Sequence, residues 1–155
     1  MPASPDERIR ATLSTATSGA SLAGRGRLYA LGWATVDLDR AARELSAELG
    51  LAADEFAPAA DSLALGARCR VAHAAMPGDL ALAILEPSTE GRLAGMLARL
   101  GEGPAVIWSV ADDTVAADRP AATPGPFGPE RLMPGGPIRG LRWFLIGPGA
   151  GTIPP

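Results

Sequence analysis

The segment from Leu80 to Val110, LALAILEPSTEGRLAGMLARLGEGPAVIWSV, leaves this chain few choices of fold. Leu80–Leu85 alternates as a strand does, and Pro87 ends it because proline has no N–H to give to a ladder. Ser88 is the predicted N-cap of the helix that follows. Leu93, Met96, Leu97 and Leu100 then recur at helical spacing, a stripe that has to be buried. Gly101-Glu102-Gly103 stops the helix, and Val106–Val110 is a second apolar strand. A strand, one amphipathic helix and another strand in direct succession predict a helix packed against a sheet.

The flanks extend this pattern. Leu28–Val36, LYALGWATV, reads as a strand. Asp37 is a good N-cap for a helix over Arg40–Leu49, whose Ala41, Leu45 and Leu49 share one face, and Gly50 stops it. Short strands are expected at Glu55–Pro58 and Ser62–Leu65 around a turn at Asp61. A longer strand follows at Ala67–Ala75, then a turn at Met76-Pro77-Gly78-Asp79. From Asp112 onward, Pro120, Pro124, Pro126, Pro129, Pro134 and Pro137 forbid a long helix or a central strand. That leaves a helical turn or two at Asp113–Asp118, a short edge strand at Phe127–Leu132 and a last strand at Ile138–Ile146. Residues 1–27 are expected to be a flexible tail with at most a turn of helix near Asp6–Leu13, and residues 148–155 a Pro/Gly tail. The folded domain is then 28–147, in two halves of about 28–87 and 88–147.

At 155 residues this is one ordinary domain. Many of its apolar residues are alanine, so each buried position contributes little area at roughly 25 cal/mol per Å². A subunit interface is a natural way to bury more, and a homodimer is expected. The net charge is −3 with no basic run, which argues against nucleic acid and anionic membrane as partners. All fourteen basic residues are arginine, so no Schiff-base lysine exists. A single cysteine, Cys69, excludes an intramolecular disulfide and a multi-cysteine zinc site. Early charges at Asp6, Glu7, Arg8 and Arg10, and the lack of a long apolar run, predict a cytoplasmic protein.

The stretch LGWATVDLDRAARELSAELGL, with its Asp37-Leu38-Asp39-Arg40-Ala41 strand-to-helix turn, resembles the vicinal oxygen chelate superfamily of glyoxalases, bleomycin-resistance proteins and extradiol dioxygenases. Leu85-Glu86-Pro87, a helix and Gly101-Glu102-Gly103 are similar to methylmalonyl-CoA epimerase relatives. The resemblance covers about Leu28 to Ile146. It implies an α+β fold in which two β-α-β-β-β-type modules curl a mixed sheet around a pocket, with the second module shortened here. It also implies metal ligands at four places: Ala30 or Trp33, Ala83, Val106 or Ala105, and the stretch Trp143–Ile146. None of these side chains offers an imidazole nitrogen or a carboxylate oxygen. Cys69 and His73 lie about 13 Å apart along a strand at roughly 3.3 Å per residue, too far to share an ion. No metal and no cofactor is therefore expected.

Among the remaining chemistry-bearing residues, His73 and Glu86 are the candidate acid/base pair. The plainer readings are a hydrogen-bonded sheet histidine and a strand terminator. Cys69 reads as core, Glu102 as a turn residue, and Asp112 and Asp113 as solvated or capping. Trp33, Trp108, Trp143 and Phe144 offer planar walls for an aromatic ligand, though tryptophans in a small domain are usually core. Arg142 or Arg139 could meet an anionic group. Ala81 and Ala83 would leave room for a ligand, and Val106 would line it. The expected function is metal-free binding of a small apolar or aromatic molecule, as in sequestration of a metabolite or drug. The alternatives are a metal-independent isomerase, cyclase or lyase, and a degenerate domain kept as an oligomer partner.

Overall fold

The computed structural model describes residues 3–17, 26–52, 54–110, 121–134 and 140–147. Among them are three helices and seven strands. In chain order these are α1 (Pro5–Thr17), β1 (Arg27–Ala34), α2 (Leu38–Leu49), β2 (Ala57–Ser62), β3 (Ala67–Met76), β4 (Leu80–Pro87), α3 (Arg92–Leu100), β5 (Gly103–Val110), β6 (Glu130–Met133) and β7 (Arg142–Ile146). They build an α+β fold around one mixed sheet, curled into a half-barrel, in the order β2-β3-β4-β1-β5-β7-β6.

The topology shows the two halves. In the first, β1 pairs parallel with β4, and β3 and β2 follow antiparallel. In the second, β5 pairs parallel with β7, and β6 follows antiparallel. The halves join through antiparallel β1 and β5. Where the first half has its edge strand β2, the second has only a bridge between Thr123 and Glu130 among the described residues.

Two apolar layers sandwich the sheet. On the outer face Leu31, Trp33, Leu82, Ile84 and Ile107 pack against Ile9 and Ala16 of α1 and Ala41, Ala42 and Leu45 of α2. On the inner face Ala30, Ala81, Ala83, Leu85, Val106, Trp108 and Phe144 pack with Leu93 and Met96 of α3. The strand alternation of period two assigns neighbours to opposite layers.

The first helix departs from expectation: residues 5–17 are not a tail. Ser4 and Glu7 form a reciprocal capping box at 3.2 Å each way, with Pro5 in the first turn. Ile9 is 1% exposed beneath the helix. Arg8 lies 5.2 Å over the Trp33 ring and donates to the Glu102 carbonyl at 2.9 Å. The second helix is capped as expected, by Asp37 accepting from the Arg40 N–H and by Gly50 at φ 68°. The third is not capped by Ser88. It starts after Gly91 without a side-chain cap, and the Ser88 N–H donates to the Gly66 carbonyl. The expected helical turns at Asp113–Asp118 lie outside the described residues.

Candidate functional site

The two edges of the curled sheet meet. Ser62, at the end of β2, donates to Glu130 Oε2 at 2.7 Å, and the Leu63 N–H donates to the Pro124 carbonyl at 3.1 Å. Glu130 Oε1 accepts from Trp108 Nε1 at 3.0 Å, so a residue of a central strand reaches the same carboxyl. Glu130 is fully buried. Burial in this apolar layer pushes its carboxyl up to about 7, and the two hydrogen bonds pull back only part of that rise. Nearby Cys69 is buried as well, and desolvation raises its thiol to about 12, with Glu130 and Asp61 adding to the rise. It is a core cysteine and no nucleophile at neutral pH.

Aromatic rings gather around Phe127 and Trp108. Phe127, on the Pro/Gly segment before β6, meets Trp108 edge to face at 5.1 Å and Tyr29 at 5.2 Å. His73 stands 6.3 Å from the same ring, at the exposed rim. Phe144 stacks on Trp108 at 6.0 Å.

Trp108 fills the inner face at Gly32, the β1 neighbour of Ala83. Its ring lies against Gly32, where even a Cβ would approach it to 2.8 Å. Gly32 is required there because a neighbouring strand's indole packs directly on its backbone.

Of the residues singled out in the sequence, Ala83, Val106 and Trp108 share the inner layer. Arg142 belongs to the alternation of Phe144 but stands exposed at the start of β7. Trp33 and Trp143 face the other way. Trp33 packs under α1 and α2, and Trp143 packs with Leu145 and donates to Ser109 at 2.7 Å. Glu86 pairs with Arg68 at 3.1 Å, while His73 sits at the inner rim, so the structure does not bring these two together. Arg139 lies outside the described residues, as do Asp112 and Asp113. Glu102 is a clamp: it accepts from the Val36 N–H at 3.1 Å and pairs with Arg40. Burial alone would raise its carboxyl, but those donors hold it below its ordinary value.

Glu130 was invisible in the sequence as a site residue. Its neighbours Pro129, Arg131 and Leu132 suggest an edge strand, where a glutamate is normally solvated. In the structure Gly125 lies so close to Glu130 that an added Cβ would stand 2.0 Å from Oε1.

The resemblance implies a divalent ion on the inner face, and the described residues do not fit one. Ala30, Ala83 and Val106 present only carbon there, and Glu130 is a single carboxyl already engaged by two donors. Among the described residues no group of three or more His, Cys, Asp or Glu side chains converges.

No family model matches the chain, and no curated protein matches it. Solved structures do. A methylmalonyl-CoA epimerase of Streptomyces coelicolor, in complex with 2-nitronate-propionyl-CoA, aligns at 21% identity and TM-score 0.61 over 81% of this chain and 99% of that one. The Mycobacterium tuberculosis methylmalonyl-CoA epimerase aligns at 18% identity and TM-score 0.60 over 79% and 87%. A variant of 4-hydroxymandelate synthase from Streptomyces coelicolor aligns at 20% identity and TM-score 0.51 over 84% of this chain and 40% of that one. These enzymes are members of the vicinal oxygen chelate superfamily, and the likeness is one of fold. No described helix is long and apolar enough to cross a membrane.

Proposed function

We propose that this chain is a metal-free binding protein for a small apolar or aromatic molecule, working as a cytoplasmic homodimer. The carrying observation is the inner layer itself: Tyr29, Trp108, Phe127 and Phe144 with alanines and valines, and a buried polar pair, Ser62 and Glu130. Ligand sites of this size combine apolar walls with a few fixed polar groups that orient the guest. The neighbours in fold, an epimerase in complex with 2-nitronate-propionyl-CoA and a 4-hydroxymandelate synthase, support a small-molecule role in general. Sequestration of a metabolite or drug needs no catalytic group, which suits a face where, among the described residues, the Glu130 carboxyl hydrogen-bonds only to Ser62 and Trp108.

A second reading has one observation in its favour. A carboxyl raised to about 7 is poised for proton transfer at neutral pH, which a metal-independent isomerase or lyase would require.

Native mass spectrometry of protein purified from its own host tests the proposal. The expected spectrum is a dimer with a retained organic molecule and no stoichiometric metal. A stoichiometric divalent ion overturns the metal-free reading.

A further inference from the structure

We infer that Phe127 is a built-in occupant of the ligand site, and that the segment Thr123–Gly128 is a strap that lifts to admit a single aromatic ring carrying one hydrogen-bonding substituent. The inference rests on the small-molecule reading above and says where the molecule sits and what covers it.

Three features of the strap carry the argument. First, the Phe127 ring is 4% exposed and meets rings from two different strands edge to face, Trp108 on β5 and Tyr29 on β1, with His73 of β3 at the rim. Such an arrangement is selective for an aromatic ring, because each edge contact uses the quadrupole of the ring it meets. An aromatic guest replaces these contacts in kind.

Second, the strap is tied to the sheet by few backbone bonds among the described residues. Its sequence is TPGPFGP, and Pro124, Pro126 and Pro129 have no N–H to donate. Its described backbone bonds run from Leu63 to Pro124 at 3.1 Å, between Thr123 and Glu130 at 2.8 Å each way, and from Gly128 to Gly125 at 3.2 Å. Phe127 therefore belongs to a connecting segment, while the rings around it belong to the sheet. The slot survives when the strap leaves.

Third, the strap covers the carboxyl as well as the slot. Gly125 lies directly on Glu130 Oε1. Lifting the segment uncovers an aromatic slot and a hydrogen-bonding group together, and Trp108 touches both. A phenol matches that pair: the ring in the Phe127 slot and the hydroxyl toward Glu130. Because the guest binds only the lifted state, its apparent affinity is reduced by the fraction of time the strap is down.

The test compares phenol and toluene by titration against wild type and Phe127→Ala, with hydrogen exchange on the wild type. The expected result is phenol binding at least tenfold tighter in Phe127→Ala than in wild type, and phenol preferred over toluene. Equal phenol affinity in both proteins places the ligand elsewhere: it overturns the strap and leaves the small-molecule reading standing. Equal affinity for phenol and toluene overturns the role of Glu130, since any cavity of the right size takes an apolar guest. Binding of neither compound by a folded variant overturns the inference, and the retained molecule in the native spectrum then judges the broader reading alone. The wild-type arm decides even if the variant fails to fold. Phenol should speed exchange of the Leu63, Thr123 and Gly128 amides, and unchanged or slower exchange overturns the strap.

Discussion

Ser62 and Glu130 share a 2.7 Å hydrogen bond although their strands are the two opposite edges of one sheet. The bond closes the curl across the inner face, and it does so with a carboxyl that has no cation beside it among the described residues. Burying such a group is costly in its charged form, and that cost gives the fold a pH dependence.

The sign follows from the direction of the shift. The folded value is about 7 and the ordinary value is 4.5. This contribution is fully present below the ordinary value and is lost as pH rises toward 7, because the unfolded chain releases the proton first. The loss amounts to about 3 kcal/mol. Glu130→Gln keeps the shape and cannot ionise. Urea unfolding at pH 4.5 and pH 8 should show the variant gaining on wild type by about that amount. An equal gap at both values means that Glu130 titrates normally.

Gly32 lies under the Trp108 ring, with Leu85 on its other side at 2.9 Å from an added Cβ. Gly32→Val overpacks this contact and should cost about 1–3 kcal/mol. The urea midpoint should fall, and a shift in tryptophan emission would locate the strain at the indole.

Trp33 and Trp108 are buried on opposite faces. Trp33→Ala should lower stability by about 3–5 kcal/mol through the cavity it leaves under α1. Its affinity for a small aromatic guest should equal that of wild type, whereas a loss of affinity in folded protein would move the site to the outer face.

The Cys69 thiol, at about 12, is almost wholly protonated in the folded chain. At pH 8 it should react with a thiol reagent only as fast as the protein unfolds, and rapidly once denaturant is added. Fast labelling of the native protein would contradict the burial described here.

Much of the fold was legible in the residues. The stripe of Leu93 and Met96, the Asp37 cap and the Gly50 stop are local signals, and each stands where its chemistry put it. The missed helix α1 was also local: Ser4-Pro5-Asp6-Glu7 is a capping box with a proline in the first turn, followed by Ile9, Leu13 and Ala16 on one face. Poor apolar content hid it. The site was less legible because it depends on which face each strand residue takes. Trp33 is adjacent to Gly32, so a shift of one residue moves its indole to the far side of the sheet. Register shifts in the β1–β5 ladder, between Leu28 and Ala30 and between Gly32 and Trp33, break simple counting at this place. Glu130 could not be found locally, since its hydrogen-bond partners Ser62 and Trp108 are distant in the chain.

The central claim is that the inner face binds a small aromatic molecule without a metal. Isothermal titration calorimetry of chelator-treated protein with phenol tests it most directly. The account predicts one guest per chain, with an affinity unchanged when magnesium, cobalt, nickel or zinc is restored. Binding that appears only after a divalent ion is added would contradict it.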